Sequence, residues 1–294
     1  MAPTWVFAAD ELPIDKLIVQ AKIPREGDFM GFGFDSLWMM SNSRLARVSA
    51  ADNRVIDIVI EGAKGSYRGV AIGEGAVWIP DTGAETLYKV DPATNVVVGK
   101  FKIHIFSSEG SIAVAEGAVW ITNDVDGILL RLNAVTGEEE AAVALAEPGV
   151  GVVADFGSIW VTSPIHGELY RIDPKTNSVV STVKLHAQPR FVTSGEGSIW
   201  VLNQSDGTVQ RIDGISDELL ATVETGLAGS GGDIVCGGGY VWVTMPGTPV
   251  AQIDPKTNLL VRKFNGSGMG DAIRYGGGSL WVSGSAIYRI EPPK

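Results

Sequence analysis

The chain has 294 residues, 45% of them hydrophobic, with 37 glycines and a formal net charge of −11. That acidic balance excludes a nucleic-acid partner, which needs a basic footprint, and speaks against anionic membrane surfaces. No apolar run reaches the ~18 residues of a membrane-crossing helix, and the lone Cys236 allows neither an intrachain disulfide nor a cysteine metal cluster.

Residues 1–15 read as an N-terminal extension. Its start, Met1 to Asp10, lacks the basic opening and full apolar stretch of a signal peptide. A remnant of a processed leader would place the protein in the periplasm or outside the cell, with the cytoplasm open as the alternative. Residues 16–23, Lys16-Leu17-Ile18-Val19-Gln20-Ala21-Lys22-Ile23, form a spare strand.

From there the chain repeats. Trp38, Trp78, Trp120, Trp160, Trp200, Trp242 and Trp281 follow one another at gaps of 40, 42, 40, 40, 42 and 39 residues. Each lies in a Gly-rich turn followed by small-apolar-Trp-apolar, as in Gly157-Ser158-Ile159-Trp160-Val161. A second phrase follows, clearest as Arg171-Ile172-Asp173-Pro174-Lys175-Thr176-Asn177 and drifted to Arg47-Val48-Ser49 in the first copy. Asp-Pro-x-Thr-Asn is turn chemistry, because Pro presets φ while Asp and Asn bond the local backbone. Each unit is therefore predicted to hold four strands: an apolar first (Val70-Ala71-Ile72), a second with the Trp, a third ending in the Arg-Ile-Asp phrase, and a β-branched fourth (Ser178 to Val183). Four short strands per ~40 residues is the period of a β-propeller.

The prediction is an all-β, seven-bladed β-propeller of four-stranded antiparallel blades in a single domain, 1–294. The last unit stops at Glu291-Pro292-Pro293-Lys294 without a fourth strand. The spare N-terminal strand is expected to complete the last blade and to hide an edge. The seven Trp side chains are expected to fill the gaps between blades, and Cys236 to be a small buried residue.

Function is expected where loops meet at the channel mouth. Polar residues entering the inner strands are Asp28, Arg68, Glu109, Arg190, Asp233 and Asp271. By unit number, Asp233, Asp271 and Asp28 are consecutive and make an acidic arc flanked by arginines. Such an arc needs a cation, an arginine or a raised pKa. Its oxygen ligands suit Ca2+ or Mg2+, with Asp28, Asp233 and Asp271 as the metal candidates. The alternative is that arginines or water satisfy these carboxylates. His104, His166 and His186 fall in the same loop sets. His166 and His186 flank one blade, and with Arg190 they are the candidates for acid–base work, against the plainer reading of solvent-exposed loop histidines.

The Gly-x-Gly-x-x-Trp-Val phrase with Arg-Ile-Asp-Pro-x-Thr-Asn downstream resembles the streptogramin B (virginiamycin B) lyase-like propellers and their YVTN-type relatives, from Asp28 onward. No Trp-Asp dipeptide of the WD40 kind occurs. The resemblance implies a histidine ahead of an inner strand as base and metal-holding glutamates, one of them about three residues after a Trp, opening an ester ring by elimination. The post-Trp position holds Ser41, Asp81, Asn123, Ser163, Asn203, Met245 and Gly284, none of them Glu. The place of the histidine holds Asp28, Arg68, Gly110, Val150, Arg190, Gly232 and Asp271, and Glu147-Pro148-Gly149 has Gly where the family phrase has His. Asp81, Asn123 and Asn203 join the ligand-binding candidates. The expectation is a monomeric scaffold binding a small-molecule or peptide-like ligand at the channel mouth. The alternatives are a lyase or hydrolase acting on a cyclic ester or lactone, and a scaffold for a protein partner.

Overall fold

A computed structural model describes residues 9–41, 44–65, 69–105, 111–123 and 125–294. These form seven antiparallel blades, and the innermost strand of each touches that of the next around the complete ring, the seventh meeting the first. Blade four is typical, with strands Val152–Asp155, Ser158–Ser163, Glu168–Asp173 and Ser178–Lys184 paired in sequence order. The 3-10 turn Ile14–Lys16 is the one helical element among the described residues.

The ring closes as expected. Val19–Ile23 pairs antiparallel with Ile287–Ile290 and supplies the outer strand of blade seven. The strand is shorter than residues 16–23, because Ile14–Lys16 coils and Leu17 turns inward to be buried. The extension also holds a feature that the sequence does not announce. Asp10–Pro13 adds a fifth strand to blade six, running parallel to Leu259–Asn265.

The repeated phrases work as a pair. All seven repeat tryptophans are fully buried on second strands. Each indole Nε1–H donates to the carbonyl five residues earlier at 2.8–3.3 Å, from Gly33 in the first blade to Gly276 in the last, which ties the ring to the hairpin turn before it. Those turns need positive φ at both central residues, the reason for pairs such as Glu74-Gly75 and Gly238-Gly239.

Over the Trp lies the first residue of the downstream phrase. Arg47, Arg131, Arg171, Arg211 and Arg289 stack on their own blade's indole at 4.8–5.3 Å, and Lys89 does so at 4.9 Å. The same cation reaches into the next blade. Arg47 donates to Pro92 O at 2.6 Å and Asn95 Oδ1 at 3.0 Å, and Arg211 to Pro255 O at 2.6 Å and Asn258 Oδ1 at 3.1 Å. Arg131 grips Pro174 and Asn177, Arg171 grips Ile215 and Asp217, and Arg289 crosses the closing seam to Ala50 and Asn53. The acceptors Asn53, Asn95, Asn177, Asp217 and Asn258 all sit at positive φ, which Asn and Asp tolerate best among residues with a side chain.

The two remaining junctions follow the same logic with other residues. Blade three has Gly137 at the positive-φ position, so no side-chain acceptor exists, and blade two sends Lys89 to the Ala134 carbonyl at 2.7 Å. Blade six sends Gln252 to the Pro293 carbonyl at 3.1 Å. Each of the seven seams thus has a donor side chain from this position of the repeat reaching across it. The Cys236 thiol is pushed up to about 12, by burial first and the Glu196 charge second, so it behaves as a packing group.

Candidate functional site

The inner strands leave a central cavity of about 760 Å³ on the face where the chain enters each blade. The main chain at this mouth is braced from the second strands. Thr162, two residues after Trp160, donates its hydroxyl to Arg190 O at 2.8 Å and accepts from Gly151 N at 2.9 Å. Thr122 and Ser283 hold the entries to blades three and seven in the same way, accepting from Ser111 N at 2.7 Å and Ala272 N at 2.8 Å. The hydroxyl two residues after the Trp is legible in the sequence as Thr or Ser in four of the seven repeats, and in blades three, four and seven it holds the main chain of the entry segment.

Asp28, Arg190, Asp233 and Asp271 all line this cavity, as the sequence led us to expect. Arg68 and Glu109 lie outside the described residues. The acidic arc does not survive intact. Asp233 is buried, forms an ion pair with Arg274 of blade seven, and accepts from Ile273 N at 3.2 Å and Ile234 N at 2.9 Å. Arg274 also donates through Nε to Met30 O at 2.8 Å, so one guanidinium joins blades six, seven and one. It belongs to no repeated phrase and so carries no signal in the sequence. The three metal candidates Asp28, Asp233 and Asp271 therefore do not converge on one point, and no group of three or more acidic, His or Cys side chains able to hold a metal occurs among the described residues. The physical reason is that Arg274 takes up the Asp233 charge.

Asp28 and Asp271 remain as a pair at the rim. The Asp28 carboxyl is raised above its ordinary range, by loss of hydration first and by the Asp271 charge second. Arg190, in blade five across the ring, is half-buried, and burial pulls its guanidinium down. The lining between them includes Phe29, Val70, Phe191 and Ile234 beside the polar Ser111, Thr193 and Ser230.

A second cavity of about 820 Å³ opens above blades four and five, and Arg190, Gln204 and Ser230 line both. His166 and His186 both line it. Each has its own carboxylate. His186 Nδ1 lies 2.8 Å from Asp206 Oδ2 and 3.3 Å from Thr208 Oγ1, and His166 Nε2 lies 3.6 Å from Glu147 Oε1. His104 sits apart, 3.5 Å from Glu85.

The post-Trp candidates Asp81, Asn123 and Asn203 are buried and lie away from both of these cavities. Asp81 accepts from the backbone N–H groups of Lys64, Gly65 and Ala84 at 2.7–3.2 Å. Asn123 donates to Asp126 at 2.9 Å, and Asn203 to Thr208 Oγ1 and Gln210 Oε1 at 2.9 and 3.0 Å. A polar residue ending a second strand must hold the loop that follows it, because buried backbone amides need partners. Gln204, one residue later, is the group that does reach the cavities.

No family model matches the sequence, and no curated protein matches it either. Among solved structures the chain is similar to virginiamycin B lyase from Staphylococcus aureus, at 13% identity over 95% of this chain and 100% of that one, with a TM-score of 0.79. It is similar to a streptogramin B lyase structure at 15% identity over 91% and 94%, with a TM-score of 0.77. A catalytically inactive variant of the Staphylococcus aureus virginiamycin B lyase with quinupristin matches at 13% identity over 95% and 99%, with a TM-score of 0.79. At these identities the likeness is one of fold.

Proposed function

We propose that the protein is a ligand-binding module whose site is the channel mouth. The observation that carries this reading is the ~760 Å³ cavity on the ring axis, lined by apolar residues such as Phe29 and Phe191 and by five charged ones, Asp28, Asp271 and Arg190 together with the ion pair of Asp233 and Arg274. Its size falls within the ~300–1,000 Å³ range of small-molecule sites, and its mix of apolar wall and few charges is their usual lining. The fold supports it further. Seven bridged seams hold the entry strands rigidly, so charged groups at the mouth are positioned in advance of binding, which lowers the ordering cost.

A compound library screened by ligand-observed NMR and thermal shift tests the reading. Hits are expected to lose their effect in Arg190→Gln or Asp271→Asn. A library that yields no hit sensitive to either variant overturns it. Quinupristin, the compound named with one of the lyase structures, belongs in the screen. It is expected to stay uncleaved, because the positions that the resemblance assigns to the base and to the post-Trp metal glutamate carry neither His nor Glu. Ring opening above background would favour the lyase reading instead.

A further inference from the structure

The second cavity holds a histidine whose ring proton is placed by its neighbours. Asp206 Oδ1 accepts from the Thr208 N–H at 3.0 Å and from the Thr208 hydroxyl at 2.8 Å. The hydroxyl proton is thus spent on Asp206, and Thr208 Oγ1 also accepts from Asn203 Nδ2 at 2.9 Å. Towards His186 Nδ1, 3.3 Å away, Thr208 Oγ1 can only accept. Asp206 Oδ2, 2.8 Å from the same nitrogen, accepts as well. The Asp206 carboxyl lies below its ordinary range; burial opposes its ionisation, and the Thr208 groups followed by His186 outweigh it. With acceptors alone around it, Nδ1 carries the hydrogen. Neutral His186 therefore keeps its lone pair on Nε2, which has no hydrogen-bond partner among the described residues. The ring is partly exposed, and its main chain is held, with His186 N–H donating to Gln210 Oε1 at 2.7 Å.

The same cavity offers a second placed acceptor. Gln204 is 5% exposed and lines it. Its main chain donates to Gln188 O at 3.0 Å and accepts from Gly229 N at 2.9 Å, and its Nε2 donates to Gly231 O at 2.6 Å. A carbonyl only accepts, so the amide orientation is set, and Oε1 has no hydrogen-bond partner among the described residues. No carboxylate lines this cavity among the described residues, so a cation finds no opposite charge there to offset its lost hydration. A carboxylate would meet lone pairs. An uncharged N–H donor suits both acceptors, and Pro164, Ile165 and Leu185 give apolar surface beside them.

We propose that the second cavity is a binding site in its own right, and that it takes an uncharged carboxamide whose N–H donates to His186 Nε2. His186 does not line the channel mouth, so either site can fail without the other.

NMR titration of protein carrying isotope-labelled histidine, with benzamide as the probe, tests it. Without ligand the His186 nitrogens are expected to report the Nδ1–H form, and benzamide is expected to shift Nε2. N,N-dimethylbenzamide and benzoate lack an N–H and are expected to bind about fivefold more weakly or worse, the scale of one hydrogen bond. Protonation of Nε2 removes the acceptor. Benzamide binding is therefore expected to weaken as pH falls, by at most about tenfold per unit below the midpoint at which His186 titrates. The other titratable groups around the cavity are Asp206, His166 with Glu147, and Arg190. His166→Gln is expected to keep the pH effect, and His186→Gln to abolish it together with the preference for benzamide. Asp206→Asn tests the placement of the proton. Its amide oxygen stays on the Thr208 N–H and hydroxyl, which turns the NH2 towards Nδ1 and moves the ring hydrogen to Nε2. Benzamide is then expected to bind no better than its dimethyl analogue, while thermal unfolding shows the variant folded. An Nε2–H ring in the wild type, dimethylbenzamide binding as tightly as benzamide, or benzamide undiminished in Asp206→Asn overturns the proposal. So does benzoate binding that exceeds benzamide and strengthens as pH falls, or benzamide that does not bind at all.

Discussion

Asp28 shows how a single side chain reports on its setting. Its carboxyl is raised in the folded protein, by burial and then by Asp271, so ionising it costs more in the folded than in the unfolded chain. Stability from this group is therefore complete below the unfolded pKa and is lost as pH rises through the folded one. Asp28→Asn removes that loss. The variant is expected to melt slightly above the wild type at neutral pH, with the difference vanishing below the carboxylate range; an equal difference at all pH values would refute the argument. The turn aspartates carry the opposite sign. Asp91 is held below its ordinary range by the backbone N–H of Ala93 and the hydroxyl of Thr94, and Asp213 by the backbone N–H groups of Ser216 and Ile215, so their contribution is lost on acidification. Residue roles of this kind were only partly legible. That Asp28, Arg190, Asp233 and Asp271 enter inner strands followed from the repeat. That Asp233 is spent on Arg274 did not, because the two are 41 positions apart in sequence and Arg274 sits in no repeated phrase.

Among the elements, the turn between third and fourth strands makes the sharpest prediction. Asn177 sits at φ +53° and accepts from Arg131 at 2.8 Å across the seam between blades three and four. Asn177→Gly keeps the backbone and loses the bond, at a cost of about 1 kcal/mol. Asn177→Ala loses the bond and strains the backbone as well, for about 2 kcal/mol in all. Chemical denaturation ranks them; equal losses would mean that the conformation carries no weight. The protein contains its own version of the glycine case at Gly137, where the partner is Lys89 and the acceptor a main-chain carbonyl. In the sequence the Arg-Ile-Asp phrase announced a turn. Its second duty, as a stack on Trp and a bridge to the next blade, depends on a neighbour about 45 residues away and so leaves no local pattern. The same holds for Asp10–Pro13. Four residues ending in Pro, with no alternation of apolar and polar, carry no strand signal; they become a strand only because the edge of Leu259–Asn265 is there to pair with.

For the whole molecule, the prediction concerns the two uses of the N-terminal segment. Removing residues 1–13 strips the fifth strand of blade six with the partly buried Leu12, and is expected to cost about 1–2 kcal/mol and leave unfolding cooperative. Removing residues 1–23 takes the outer strand of blade seven with buried Leu17 and Ile23 and bares the edge of Ile287–Ile290. Self-association and a broadened transition are expected, read by light scattering and calorimetry. If both truncations behave alike, the closing strand is not what holds the ring. This pairing also sets an order in time. Ile23 faces Ile287, and 264 positions separate them. At a synthesis rate of about 5–20 residues per second the early strand waits roughly 13–53 s for its partner to be made. Six blades are complete before the seventh has a mate, and for that interval the segment is a loose end at the ribosome, open to a chaperone or to a neighbouring nascent copy.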